Sequence, residues 1–330
     1  MLRRRSFATG MAALAAGIAS RRAIAAPAKE KKLRLGYLIS ANSQAGAGAT
    51  AMAEEIVRRT NGRIQIQQFP DAALGGEVEM LKGMQIGSID LGFITGGALS
   101  VVLPAAGIFN IPFLFNGAEH AHAVLDGPIG EAYMKLFAEK DLVPLAWGEN
   151  GLRHITNSRR PITSPDDLKG LKLRVPQSEV MVTGFKALGT EVSVLPFPQL
   201  YSALEAGVFD GEENPIATIV SAKFSQVQKF LTLSGHVYDP TLILMSPDAH
   251  DDLSAEDQAI FADAAKTGAR ATRKFAAEAD ANGVAALEQA GMQVVRSIDR
   301  ARFAAAMATA NPIFEKQFGR EHIEQIRAVA

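Results

Sequence analysis

The side chain best placed for chemistry is Arg174, near the end of the apolar run 171–175 and directly before Val175-Pro176. In a parallel α/β sheet the carboxyl ends of the strands border the ligand crevice. A guanidinium there offers a planar fork of donors that matches a carboxylate, and it keeps its charge when water is removed. The competing reading is a surface ion pair with Asp166 or Asp167, and spacing alone leans toward that pair. Chemistry of turnover is harder to find. The chain has no G-x-S-x-G elbow, no Walker loop and no H-E-x-x-H helix. Glu212 and Glu213 are neighbours, but adjacent carboxylates need not converge on one site. Only His120 and His122 lie close among the histidines, and an i, i+2 pair on a helix faces two directions. Solvated or hydrogen-bonded histidines are therefore expected, not a metal site. With no cysteine, disulfides, thiolate catalysis and Cys-ligated zinc are excluded. Gly75-Gly76 and Gly96-Gly97 read as turn glycines without a phosphate-cradling pattern. The residues favour binding over catalysis, with no catalytic residue, metal or cofactor expected.

Elements able to position these residues follow from periodicity. Residues 33–38 alternate like a strand, 45–59 read as a helix stopped near Asn61-Gly62, and 64–67 form a second strand ended by Phe69-Pro70. A helix at 77–85 and a strand at 89–94 follow. A second series places strands at 171–175 and 192–195 with a helix at 179–188 between them, then a helix at 199–206 leading to Phe209-Asp210-Gly211. Strands alternating with helices imply a mainly parallel sheet covered by helices. An apolar segment at 241–245 follows Asp239-Pro240. The Ser254-x-x-Asp257 cap then opens an alanine-rich helical stretch to about 290, long enough to bridge two domains or to break midway.

A chain of 330 residues, 48% hydrophobic and 21% charged, suits a globular protein of two domains or one large one. Its start has another logic. Arg3, Arg4 and Arg5 precede a short run of small and apolar residues, and Ala23-Ile24-Ala25 has the small-x-small form of a cleavage site. That layout is a secretory signal over 1–25, too short and alanine-rich for a spanning helix. Arg4-Arg5-Ser6-Phe7 also fits the core of a twin-arginine signal, so export by either that route or the general secretory one is open. Removing 1–25 takes away five arginines and no acids, so 34 basic residues become 29 against 35 acids, a net of −6. That balance argues against nucleic acid as a partner.

Several runs together resemble one family. They are GLKLRVPQSEV at 170–180, PFPQLYSALEAGVFDGEENP at 196–215 and KFSQVQKFL at 223–231. Earlier in the chain are LGGEVEMLKGMQIGSIDLGF at 74–93, GIFNIPFLF at 107–115 and GLRHITNSRRPITSPDDLKG at 151–170. The order and content are similar to the DctP-type receptors of tripartite ATP-independent periplasmic (TRAP) transporters, over roughly residues 33–320. The resemblance implies an α/β, two-domain periplasmic binding protein fold. A long helix bridges the domains, and the ligand lies in the interdomain cleft. Domain I would hold 31–151 with about 241–279, and domain II 152–240 with about 280–330. It also implies that Arg174 anchors a ligand carboxylate, with Arg153 as a second arginine and Asn214 reaching the same carboxylate or a neighbouring group. Phe197 would pack near the ligand, and Glu77 would touch hydroxyl groups. Each has a plainer role open to it: Asn214-Pro215 as a turn, Phe197 as core, Glu77 as a helix N-terminal acid.

This chain departs from the pattern in two places. Residues 211–213 read Gly-Glu-Glu where glutamine often follows the glycine, and Ile94-Thr95-Gly96 stands where receptors for sialic acid carry a more polar residue. Thr95 offers only a hydroxyl. Trp147, the one tryptophan, falls at the expected domain crossing, to stack on a ligand or to fill the core. Together with Phe197 and Thr95 it would suit a smaller, less hydroxylated acid. The function expected is capture of a small organic acid in the periplasm and its delivery to the small and large membrane subunits of a TRAP transporter. A receptor read by a sensor protein would use the same fold. A secreted α/β enzyme would need a catalytic set that the sequence does not show.

Overall fold

The computed structural model describes residues 31–330; the signal segment expected at 1–25 lies outside them. Strand β1 (Lys31–Gly36) leads to helix α1 (Gln44–Arg59), where Ser43 accepts the Gly46 N–H as N-cap. The chain leaves that helix through Asn61 and Gly62, both at positive φ, and enters β2 (Ile64–Phe69). Then come α2 (Glu77–Gln85), β3 (Leu91–Thr95), α3 (Gly96–Val102), α4 (Ala118–Asp126) and α5 (Pro128–Ala138). A 15-residue strand, β4 (Val143–Asn157), carries the chain into a second series. That series runs β5 (Lys172–Val175), α6 (Glu179–Ala187), β6 (Glu191–Val194), α7 (Leu200–Glu205), β7 (Gly211–Pro215) and α8 (Ile216–Ser221). The 16-residue β8 (Phe230–Met245) returns beside β4 and is followed by α9 (Pro247–Asp251). Next is α10 (Ala255–Gln289), unbroken over 35 residues, started by the Ser254 cap on the Asp257 N–H. The chain closes with β9 (Gln293–Val295), α11 (Arg300–Met307), α12 (Asn311–Phe318) and α13 (Arg320–Arg327).

The sheet order is β2-β1-β3-β8-β4-β7-β5-β6, with β9 beside β8. The outer pairings are parallel, as the alternating pattern implies, but β3–β8, β8–β4 and β4–β7 are antiparallel. The expectation of a mainly parallel sheet is thus corrected at its centre. The cause is β4 and β8, two long strands that serve both halves: β8 pairs β3 through 241–245 and β4 along nearly its whole length. Their length is hidden in the sequence because register shifts at 144/146, 149/151 and 153/155 break the alternation of faces.

Each half has its own core. Leu35, Met52, Ile56, Phe93 and Phe261 fill one face of the first series beneath α1 and α10, and Met80, Met84, Phe109 and Trp147 fill the other. In the second series, Leu173, Val175, Met181 and Phe185 pack with Phe303, and Leu200, Leu204 and Phe224 pack with Leu287 of α10. The long helix therefore touches both halves. Phe314, Phe318, Ile323 and Ile326 of the closing helices join Ile108, Phe109 and Phe115, packing with the first half although the expected division counted them in the second.

Candidate functional site

The cleft between the halves is built where β3, β4, β5 and β7 end or cross. Arg174 stands one residue from the end of β5, is 2% exposed, and donates Nε–H to the Leu195 carbonyl at 2.8 Å. No carboxylate lies within ion-pair distance of it among the described residues. The two acids that competed for it in the sequence are otherwise engaged. Asp166 pairs with Lys169 and Arg302, and Asp167 caps Ser164. Burial lowers the pKa of Arg174 to about 10, with Glu213 the chief opposing influence, so the group stays charged at neutral pH.

Arg153, also 2% exposed, is spent differently. Its Nε and Nη2 grip Glu213 at 2.5 and 2.8 Å, its Nη1 reaches Asp239 at 2.7 Å, and Nη2 also touches Asn214 Oδ1 at 3.3 Å. Burial works against both charges here, but the pairing wins: Arg153 is raised above its ordinary value and Glu213 is held below its own. Burial lowers the pKa of His236, so its neutral ring donates Nε2–H to Glu213 at 3.2 Å and accepts from the Ser234 hydroxyl at Nδ1, 2.8 Å away. Asp239 gathers Arg153, the Asn150 amide at 2.7 Å and the Gly96 N–H at 3.1 Å.

Glu77, first residue of α2, accepts the Thr95 N–H at 2.6 Å and the Thr95 hydroxyl at 2.9 Å. Burial pushes Glu77 up to about 7 despite those bonds. Thr95 is thereby committed to orienting Glu77. Gly96 and Gly97 are not turn glycines. They open α3 against the cleft, where a Cβ on Gly96 would lie 2.8 Å from Asp239 Oδ1 and one on Gly97 would lie 3.2 Å from Pro176. A larger residue at either position would push these neighbours aside.

A pocket lies among these groups. Arg174, Arg153, Asn214, Phe197, Glu77 and Thr95, all expected at a binding site, line it with Asn150, Gln177, Thr218 and the apolar Leu38, Ile39 and Phe93. Phe197 presents its ring there, 6.1 Å from that of Phe224. The expectation for Trp147 is corrected: it is buried against Phe109 and Phe137, donates Nε1–H to Gly130 O at 3.1 Å, and does not line this pocket. Sequence reasoning missed Asn150, Asp239 and Gln44. Gln44 Nε2 bonds Asn150 Oδ1 at 2.6 Å and Thr218 Oγ1 at 3.0 Å, joining the start of α1 to α8. Their one signal was polarity inside otherwise apolar crossing segments. His120 and His122 face apart, one toward Ile326 O and one toward Glu149.

The arrangement can hold an anion. Among the described residues, Arg174 lines the cavity with no carboxylate within ion-pair distance, while Glu77, Glu212, Glu213 and Asp239 are each paired or hydrogen-bonded. The model for bacterial extracellular solute-binding protein, family 7 (DctP), matches residues 35–318. The chain belongs to that family. Proteins similar to it include the 2,3-diketo-L-gulonate-binding periplasmic protein of Escherichia coli, 35% identical over 84% of each chain. Among solved structures, a TRAP periplasmic solute-binding protein of Polaromonas sp. JS666 bound to D-erythronate is 44% identical with a TM-score of 0.90. The match covers 91% of this chain and 99% of that one. One from Bordetella, with density interpreted as pantoate, is 41% identical with a TM-score of 0.89, covering 91% and 100%. Like these relatives, this family 7 chain is an α/β solute receptor with its binding cleft between two halves.

Proposed function

We propose that this receptor captures a small hydroxylated monocarboxylate in the periplasm and hands it to the small and large membrane subunits of a TRAP transporter. The observation that carries the reading is Arg174, a buried guanidinium lining the cleft with no carboxylate within ion-pair distance among the described residues. Its fork takes the ligand carboxylate, and Asn214 and Gln177 line the same pocket. A second ligand carboxylate has no such partner, because Arg153 is occupied by Glu213 and Asp239. Hydroxyl groups, in contrast, find acceptors in Glu77 and Thr95. The D-erythronate and pantoate of the relatives support a small hydroxylated acid.

The test is a thermal-shift panel of D-erythronate, pantoate, galactonate, succinate and the neutral polyol erythritol on residues 26–330. A ligand at 100 times its Kd adds about 2.7 kcal/mol. Erythronate or pantoate should raise the melting temperature by several degrees, and erythritol should not. A response to erythritol equal to that of erythronate would remove the carboxylate from the account.

A further inference from the structure

Glu212 is the one cleft acid that the binding reading leaves without a task. It is fully buried in β7, and no cation lies within ion-pair distance of it among the described residues. Its partners are the Thr156 hydroxyl at 2.6 Å and the side-chain amide of Asn214, two residues along the same strand. We propose that Glu212 is a positioning residue that fixes the Asn214 amide so that an N–H, not a carbonyl oxygen, faces the ligand carboxylate beside Arg174.

The argument is electrostatic. Asn214 is flanked by the Arg153 guanidinium, a donor only, and by the Glu212 carboxyl group, whose ionised form only accepts. The amide oxygen therefore belongs against Arg153 and the amide nitrogen against Glu212. Turning the amide over would set its N–H groups against Arg153, unfavourable at any pH, and its oxygen against Glu212, unfavourable while that carboxyl is ionised. With one N–H on Glu212, the second remains for the cleft that Asn214 lines. Arg174 and Asn214 then form a mixed pair of donors for one carboxylate. Burial pushes Glu212 up to about 7, while its bonds to Thr156 and Asn214 resist the shift.

The inference rests on the carboxylate-binding reading, and its test separates the two. The probe is whichever of D-erythronate or pantoate binds more tightly by calorimetry. Glu212→Gln keeps an acceptor toward Asn214 and should hold affinity within about threefold of the parent. Glu212→Met removes the acceptor, and losing one hydrogen bond to a charged group should weaken binding about 10- to 100-fold. In an Asn214→Ala background the same Glu212→Met change should have no further effect on affinity. An equal loss in both backgrounds would mean that Glu212 acts by packing, which overturns the proposal, as would unchanged affinity in Glu212→Met. Should Glu212→Met fail to fold, Glu212→Ala carries the same comparison. If neither acid binds the parent, the small hydroxy-acid reading itself fails. If Arg174→Ala abolishes binding while Glu212→Met does not alter it, only the positioning role fails.

Discussion

Arg153 and Arg174 share one cleft and are equally buried, yet Arg153 is bound by Glu213 and Asp239 while Arg174 meets only the Leu195 carbonyl. Burying a charge without a partner is costly. A protein that neutralises one arginine with two acids and leaves its neighbour open has divided the labour between them. On the proposed reading, one arginine holds the strands together and the other takes the ligand.

The division predicts opposite stability effects. Arg153→Met leaves Glu213 and Asp239 buried without their cation and should destabilise the ligand-free protein by about 3–5 kcal/mol. Arg174→Met removes an uncompensated charge and should change stability by under about 1 kcal/mol, or raise it. Urea unfolding of both variants gives the comparison. Equal losses would show that Arg174 is structural too.

Gly97 brings α3 against the Pro176 end of β5, so a side chain there should oppose closure. Gly97→Leu is expected to weaken ligand binding at least about tenfold through overpacking. The same overpacking should cost the ligand-free protein about 1–3 kcal/mol. Unchanged affinity would mean that the halves do not need this approach to hold ligand.

Trp147 makes a negative prediction for the site. Trp147→Phe loses the bond to Gly130 and part of the packing with Phe109 and Phe137, a cost of about 1–3 kcal/mol. Affinity for the ligand should stay within about twofold, since independent sites add. A larger change would restore Trp147 to the cleft.

The pH dependence of stability should carry the mark of Glu77 and Glu212, both pushed by burial to about 7 from an ordinary 4.5. Between those values the folded chain holds protons that the unfolded chain has released. Their contribution is whole below about pH 4.5 and is lost as pH rises through about 7. Glu212→Gln removes one such group. Its stability relative to the parent should rise between pH 5 and pH 8 by about 1–3 kcal/mol, read from urea midpoints. A difference that stays constant across that range would show that Glu212 does not titrate there.

The residues proposed for this site lie in local runs of the chain that resemble the family. The Arg174 run forms a strand end, the Asn214 run forms β7, and the Glu77 run starts a helix. What could not be read locally was pairing between distant segments. Residues 211–215, charged and ended by proline, carry no strand signature, and they are buried because Arg153, Thr156 and His236 satisfy them from β4 and β8. Asp239 and Asn150 were overlooked for the same reason: each acquires its role only when those two long strands cross. Trp147 was misplaced because an aromatic near a crossing has two faces to choose from, and the choice lies with Phe109 and Phe137, far from it in sequence.

The central claim is that Arg174 holds the ligand's charge. Titration calorimetry of Arg174→Ala with the acid that binds the parent most tightly tests it directly. Truncating one partner of a buried charge pair costs about 2–5 kcal/mol, so affinity should fall about 30- to 5,000-fold while the protein stays folded. A folded Arg174→Ala protein that binds the acid with the parent's affinity would contradict the account.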